Sequence, residues 1–258
     1  MKKLFALMLC LMLCLCCSAG LADSDKDAVA ARGKLVVGIT DFAPMDYRDT
    51  DGSWVGFDAD LARAFAASLG VEAEFVEIDW DNKVLELNSG NIDCVWNGMT
   101  LTDEVLSAMN CSNPYANNAQ IVIVPADKAE SYQTVESLAG LTFAVEAGSA
   151  GEIAAKELGN ACNPVQNQAA TLLEVTAQTS DAAIIDSLMA AAMVGEGTDY
   201  ASLTYTVSLT EEKYGVGFRK DSDLADALND FFKAAWADGS LLKTAELYGV
   251  QAAIIPQE

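Results

Sequence analysis

Apolar and polar residues alternate along the chain with periods typical first of strands and then of helices. The apolar runs at residues 34–40 and 71–79 predict buried strands. Residues 58–69 between them have the apolar spacing of a helix, with Asp58 as the predicted N-cap. A strand, a helix and a strand in this order predict a parallel sheet covered by helices.

The next predicted strand leads into a polar loop. Apolar residues alternate with polar ones at 92–96, and the pair Asn97-Gly98 is predicted to end this strand before a helix that begins near Thr102. In open α/β sheets, ligands bind in the crevice beyond the carboxyl ends of the strands. The residues that follow each predicted strand are therefore candidates for a binding site.

A second alternation of strands and helices begins near residue 141 and continues to about residue 195. Two more extended runs and two amphipathic helices follow it. Because the second alternation repeats the design of the first, the sequence predicts an α/β protein with two lobes.

Residues 1–22 have the layout of a secretory signal peptide. Two lysines precede an apolar run from Leu4 to Cys17, and the small residues at 18–22 suit cleavage after Ala22. The run is too short for a comfortable membrane span. Its four cysteines also allow a lipoprotein signal, but no small residue precedes any of them, which favours a free or separately tethered product.

The charge and the missing histidines restrict the possible functions. Removing the two lysines of the signal takes the formal net charge from −23 to −25, and such an acidic surface repels nucleic acid and anionic lipid. The chain contains no histidine, so it lacks the commonest general base and the usual ligand of zinc. We therefore predict no metal site, no cofactor and no nucleic-acid partner.

Three cysteines remain after the signal, at positions 94, 111 and 162. Cys94 and Cys111 flank one strand–helix unit and could form a disulfide in an oxidising compartment. Two buried thiols on neighbouring strands are the alternative, and the sequence does not choose between them.

Several polar and aromatic residues stand near the ends of predicted strands. Residues 148–151 lie between a strand and a helix, where free backbone N–H groups could hold a carboxylate or a phosphate, although Ser149 could equally be an ordinary N-cap. The other candidates also have explanations without a ligand: capping for Asp186, solvation for Glu146, and cover of the core edge for Phe42 and Trp80.

Taken in their order along the chain, the motifs resemble those of the family 3 extracellular solute-binding proteins, which are receptors of polar amino-acid ABC importers. The resemblance rests on the segments GITDFAPMDY, WVGFDADLARAFAASLGV, IDWD, NIDCVWNGMTLTDE, CSNPY, AVEAGSAGE and SDAAIID. It covers nearly the whole chain after the signal peptide, and only the combination of motifs is specific.

The resemblance implies the type II periplasmic-binding-protein fold, in which two α/β lobes, each a mostly parallel sheet flanked by helices, are joined by two hinge strands. The implied organisation is a signal peptide at 1–22, a first lobe at 23–119 and 214–258, a second lobe at 120–213, and crossing strands near 118–122 and 214–218. A ligand would close the lobes, and a membrane permease would receive the closed form. We expect an extracytoplasmic monomer.

The resemblance also implies a ligand site. Its implied members are Asp41 as an added acid, Phe42 and Trp80 as aromatic walls, Asn97, Gly98, Met99 and Thr100 as the loop that holds an ammonium and a carboxylate, Glu146 as a pocket acid, Ser149 as the start of a carboxylate-binding helix, and Asp186 as the acceptor of the ammonium.

One departure from the family pattern bears on the ligand. The family usually has an arginine that clamps the ligand's α-carboxylate where this chain has Val105. Either another donor replaces it, with Arg48 as a candidate, or the ligand has no clamped carboxylate. Because three acids in one site would make the pocket net negative, the expected ligand is a basic amino acid or a related amine.

Two other functions stay open at this point. A dehydratase of cyclic acids resembles this family and would need a carboxylate general acid, such as Glu146, near an anion clamp. The valine at position 105 counts against that clamp. A ligand-sensing module is the other alternative, and it would have to signal through a partner.

Overall fold

The computed structural model describes residues 24–257, so the predicted signal peptide at 1–22 lies outside the described residues. The strands are β1 Lys34–Ile39, β2 Tyr47–Arg48, β3 Trp54–Val55, β4 Glu72–Glu77, β5 Cys94–Thr100, β6 Asn110–Cys111, β7 Ala116–Asn118, β8 Gln120–Pro125, β9 Thr142–Glu146, β10 Ala161–Val165, β11 Ala182–Asp186, β12 Leu203–Ser208 and β13 Glu212–Phe218.

Helices cover both sheets. They are α1 Asp25–Arg32, α2 Phe57–Ser68, α3 Lys83–Asn88, α4 Asp103–Ala108, α5 Ala150–Glu157, α6 Gln168–Thr176, α7 Ser187–Met193, α8 Leu224–Ala237 and α9 Ser240–Leu247, with short 3-10 helices at Trp80–Asn82, Ala126–Ser131, Val135–Leu138 and Gln251–Ala253. None of these helices is both long and apolar enough to cross a membrane.

The first sheet has the strand order β4-β1-β5-β13-β6, with β7 also paired to β13. Strand β1 runs parallel to β4 and β5, which confirms the strand and helix alternation predicted for residues 35–97. Strand β13 returns from far along the chain and pairs antiparallel with β5. We call this sheet and its helices the first lobe.

The second sheet has the order β10-β9-β11-β8-β12, and β9 runs parallel to both β10 and β11. Strand β11 is buried along its whole length, as expected for a central strand covered on both faces. We call this sheet and its helices the second lobe. The two-lobed α/β fold predicted from the sequence is therefore confirmed.

The chain crosses between the lobes twice. The first crossing lies between β7 and β8, close to the predicted segment at 118–122. The second lies between β12 and β13, because β13 already belongs to the first sheet from Glu212 onwards. The predicted second crossing at 214–218 is thus several residues too late, since an extended pattern does not reveal which sheet a strand joins.

Strand β5 also differs from its prediction, because it continues through Asn97-Gly98 to Thr100. Gly98 adopts a left-handed conformation, with a φ of 53°, and the pairing with β13 shifts register between Gly215 and Gly217. Glycine tolerates this backbone conformation without a Cβ clash, so the strand bends where the sequence predicted an end.

The predicted N-cap of α2 is wrong. The helix begins at Phe57, and Asp58 is fully buried within its first turn. Its carboxylate Oδ2 accepts hydrogen bonds from the backbone N–H of Gly98 and from the hydroxyl of Tyr115, both at 2.7 Å. Asp58 therefore supports the β5 bend from behind.

The disulfide considered for Cys94 and Cys111 is not formed, since both thiols are free. Cys94 pairs with Phe218 on one side of β13, and Cys111 pairs with Gly217 on the other side. Two strand spacings amount to about 10 Å, which exceeds the Cα separation of about 7 Å that a disulfide can bridge.

Candidate ligand-binding site

A cavity lies between the lobes where strands β5, β9 and β11 end. Its volume is about 40 Å³, which is room for a few water molecules. Eight of the ten predicted site residues line it: Trp80, Asn97, Gly98, Met99, Thr100, Glu146, Ser149 and Asp186. The carboxyl ends of parallel strands meet at one edge of each sheet, and this shared edge brings the residues together.

The other two predicted residues lie elsewhere. The Phe42 ring is buried behind Gly98, where its Cε1 would be 2.3 Å from a Cβ added to that glycine. It packs edge-on against Tyr214, with ring centroids 6.4 Å apart. Asp41 lines a separate groove beside Arg48 and Asp199. Both residues follow β1, but the loop turns away from the cavity, a path that strand and helix periodicity does not reveal.

Arg48 does not replace the missing arginine. Its guanidinium stacks over Trp54 at 3.9 Å, donates to the carbonyl oxygen of Gly52 at 2.8 Å and lies 3.5 Å from the carboxylate of Glu77. None of these residues lines the cavity, whereas Val105 does.

Asp186 is the most extensively bonded acid of the cavity. Oδ1 accepts hydrogen bonds from the side-chain amides of Asn118 and Gln120, and Oδ2 accepts one from the side-chain amide of Gln168. Burial raises the pKa of Asp186 to about 7, and the nearby carboxylate of Glu212 acts in the same direction. The carboxyl group is therefore oriented by amides and gains stability when a positive charge approaches.

Glu146 is the second buried acid, and its carboxyl group has fewer hydrogen-bond partners than that of Asp186. It is 2% exposed, and its Oε1 atom has no hydrogen-bond donor among the described residues. Burial raises its pKa to about 8, and the charge of Asp186 adds to that rise. An unpaired buried carboxyl oxygen at the cavity wall is a natural acceptor for a ligand N–H group.

The start of α5 supplies donors on the second lobe. Ser149 Oγ accepts the N–H of Glu152 at 3.1 Å, which confirms Ser149 as an N-cap. Among the described residues, nothing accepts a hydrogen bond from the N–H groups of Ala150 and Gly151. Of the two, Ala150 lines the cavity, so its amide and the positive end of the helix dipole favour an anion there.

Lys83 also lines the cavity, although sequence reasoning did not find it. Its ammonium donates to the carbonyl oxygens of Trp80 at 3.2 Å and Gly148 at 2.9 Å, and lies 4.9 Å from the Trp80 ring centroid. Burial lowers its pKa, while the charge of Glu146 opposes that change. The available signal was its position three residues after Trp80, since the 3-10 helix Trp80–Asn82 leads directly into α3, which begins at Lys83.

The cavity is therefore acidic with one basic side chain. Glu104, Glu146 and Asp186 line it, and Lys83 is the single lysine or arginine among the described lining residues. The described residues also contain no cluster of three or more side chains able to hold a metal ion. These groups can pair with a cation, and Lys83 and the α5 amides can pair with a smaller anionic group.

Comparison with known sequences gives a consistent match. The model of the bacterial extracellular solute-binding proteins, family 3, matches residues 35–251. The arginine-binding extracellular protein ArtP of Bacillus subtilis is 30% identical over 227 residues, which cover 86% of this chain and 88% of the relative.

Solved structures share the fold. A mutant of ArgBP from T. maritima matches with a TM-score of 0.81 and 32% identity, covering 87% of this chain and 98% of that chain. An ancestral amino acid-binding protein, described as a precursor of cyclohexadienyl dehydratase, matches with a TM-score of 0.80 and 33% identity. The match covers 87% of this chain and 99% of that chain.

Proposed function

Because the chain belongs to the bacterial extracellular solute-binding proteins of family 3, we propose that it binds a basic amino acid or a related amine and delivers it to the permease of an ABC importer. The observation that carries this proposal is the pair of buried carboxyl groups, Glu146 and Asp186, at the wall of the cavity between the lobes. A cationic ligand stabilises two ionised acids that burial otherwise disfavours.

Each lobe has a part in the proposed binding. Trp80 forms an aromatic wall for the cation, and residues 97–100 hold polar ligand groups from the first lobe. Asp186 and Glu146 receive the positive charge from the second lobe. Because a ligand held by both lobes contacts the closed state more favourably than the open one, binding shifts the population towards closure.

The similarity to arginine-binding ArtP supports a basic ligand. The chain's own acidic cavity supports it independently, since the lining has three acids against one lysine. We propose that the protein acts as an extracytoplasmic monomer, that residues 1–22 direct its export, and that the mature protein is free or separately tethered.

A thermal-shift screen of the purified protein against the common amino acids and polyamines tests the proposal. A ligand that binds only the folded state raises the Tm by mass action. We expect arginine, lysine or histidine to raise the Tm most, with one ligand per chain by isothermal titration calorimetry. A screen in which only acidic or apolar ligands raise the Tm would overturn the proposed ligand class.

A dehydratase is the second candidate, because the pKa of Glu146 at about 8 keeps this carboxyl protonated near neutral pH, as a general acid must be. The ancestral amino acid-binding protein of similar structure is a precursor of such an enzyme. Binding without chemistry is the simpler proposal, since the relative ArtP is a binding protein. Recovery of the bound ligand unchanged after prolonged incubation, followed by NMR, distinguishes the two.

A further inference from the structure

We infer that Lys83 binds the carboxylate of the ligand, together with the start of helix α5, and so provides the charge that Val105 cannot. This inference rests on the proposed function, because it concerns which end of an amino acid lies against which lobe. It assigns the carboxylate to Lys83 and α5, and the positive charge to Glu146 and Asp186.

The geometry brings the two positive groups together from opposite lobes. Lys83 lies at the beginning of α3 in the first lobe, and its Nζ is 2.9 Å from the carbonyl oxygen of Gly148 in the second. Gly148 directly precedes Ser149, the N-cap of α5. The ammonium therefore lies beside the loop that leads to the free amide of Ala150, which lines the cavity.

The donors of this contact suit an anion between the two groups. Acids already compensate part of the positive charge, since Glu146, Glu104 and Asp81 act on Lys83 and Glu152 accepts the N–H of Gly148. A ligand carboxylate would accept hydrogen bonds from both the ammonium and the Ala150 N–H. The ammonium carries three N–H donors, of which two bond to Trp80 and Gly148. The remaining donor is available to a ligand oxygen.

The acidic wall is the least favourable place for the carboxylate. Glu146 and Asp186 are buried acids, and their ionised forms would repel a ligand carboxylate. Val105 offers no donor from its side chain. A zwitterion therefore orients its carboxylate towards Lys83 and its positive groups towards the acids.

The position of the cavity adds a movement to this assignment. The cavity lies between two lobes, so a ligand that both lobes hold enters when they separate. Lysine has a flexible four-carbon stem, which lets the ammonium leave the Gly148 carbonyl and follow the carboxylate. On closure, the carboxylate would link Lys83 to α5 and connect the lobes.

Two pairs of probes isolate the carboxylate: arginine with agmatine, and lysine with cadaverine, where the second member lacks the carboxylate. Dissociation constants are measured by isothermal titration calorimetry for the wild type, Lys83→Met, Lys83→Arg and the control Lys220→Met. Lys220 is a matched control because its ammonium also donates to two carbonyl oxygens, those of Leu106 and Met109, outside the cavity.

We expect Lys83→Met to weaken arginine or lysine binding roughly 10- to 100-fold, as the loss of a charge-assisted hydrogen bond does. The dissociation constant for the partner without the carboxylate, agmatine or cadaverine, should change less than about threefold. Lys83→Arg should retain the preference for the carboxylate, and Lys220→Met should leave both affinities unchanged. A purely structural role of Lys83 would lower both affinities together.

Three results would overturn the inference: equal losses for both members of a pair, tighter binding of both by Lys83→Met, or the same selective loss in Lys220→Met. If Lys83→Met does not fold, Lys83→Gln gives the same comparison. A wild type that binds none of the four probes is compared with histidine and histamine in the same way, and one that binds neither of these overturns the proposed ligand class itself. A wild type that binds each pair equally overturns the inference alone.

Discussion

Asp186 and Glu212 accept hydrogen bonds from the same carboxamide, since Gln120 Nε2 lies 2.5 Å from Asp186 Oδ1 and 2.9 Å from Glu212 Oε2. The side-chain amide of Asn118 bridges the same two carboxylates. Asn118 and Gln120 flank the first crossing between the lobes, and Glu212 also accepts from the hydroxyl of Thr100 at 2.9 Å. The proposed acceptor of the ligand's ammonium is thus tied directly to the hinge.

Changing Asp186 to alanine should abolish binding and also reduce stability. It removes a buried acceptor of several amide donors, which lowers the free energy of unfolding by about 1–3 kcal/mol. Arginine binding should weaken at least about a hundredfold by calorimetry. Asp181→Ala is the control, because Asp181 accepts a backbone hydrogen bond from Thr142 outside the cavity. Binding retained by folded Asp186→Ala would contradict the assigned role.

Glu146→Gln should weaken the binding of cationic ligands more than the binding of neutral ones. Glutamine keeps the shape of the side chain but removes its negative charge, so we expect arginine to bind roughly tenfold more weakly or worse. Citrulline, which is neutral where arginine is charged, should change less. Competition calorimetry with both ligands measures the difference, and equal weakening of the two would remove the charge argument.

The affinity for arginine should rise with pH between about 6 and 9. Burial raises the pKa of Asp186 to about 7 and that of Glu146 to about 8 in the unliganded protein. A bound cation favours the ionised carboxylates, so binding releases protons and is weaker at the lower pH. Titrations in buffers of different ionisation enthalpy count those protons, and proton uptake on binding would contradict the prediction.

The Asp46 and Asp58 pair should make stability fall as the pH rises. Burial raises the pKa of Asp58 to about 7 and holds that of Asp46 well above its usual value, with the charge of Asp58 adding to it. Between about pH 4 and 7 the folded protein then binds more protons than the unfolded chain. The Tm of Asp58→Asn relative to wild type should therefore increase over this window, and a difference independent of pH would refute it.

Gly98→Ala should be strongly destabilising, by roughly 3 kcal/mol or more, because it combines backbone strain with a clash. A Cβ at Gly98 would meet Phe42 at 2.3 Å, whereas one at Gly90, which also has a positive φ, has nothing within 4 Å. Gly90→Ala should cost about 1–2 kcal/mol from the backbone alone. Equal losses of unfolding free energy for the two variants in urea denaturation would show that the Phe42 ring moves aside at little energetic cost.

Sequence reasoning determined the main elements of both lobes and eight of the residues that line the cavity. The helix start near Thr102 and the N-cap at Ser149 follow from local spacing, since each hydroxyl accepts a hydrogen bond from the N–H three residues later, at 3.2 and 3.1 Å. The alternation of strands and helices was also sufficient to place Asp186 at the end of its strand, whereas residues 97–100 lie within β5 and not in the predicted loop. These features depend on residues close together in the chain.

The tertiary structure alone decided which side chains enter the cavity. Phe42 turns behind Gly98, and Lys83 reaches Gly148, which is 65 residues away along the chain. Glu212 joins Asp186 only because β13 returns to the first sheet beside β5. Periodicity and capping report contacts within a few residues, whereas these positions result from the pairing of distant strands, the path of loops and the packing of the two lobes against each other.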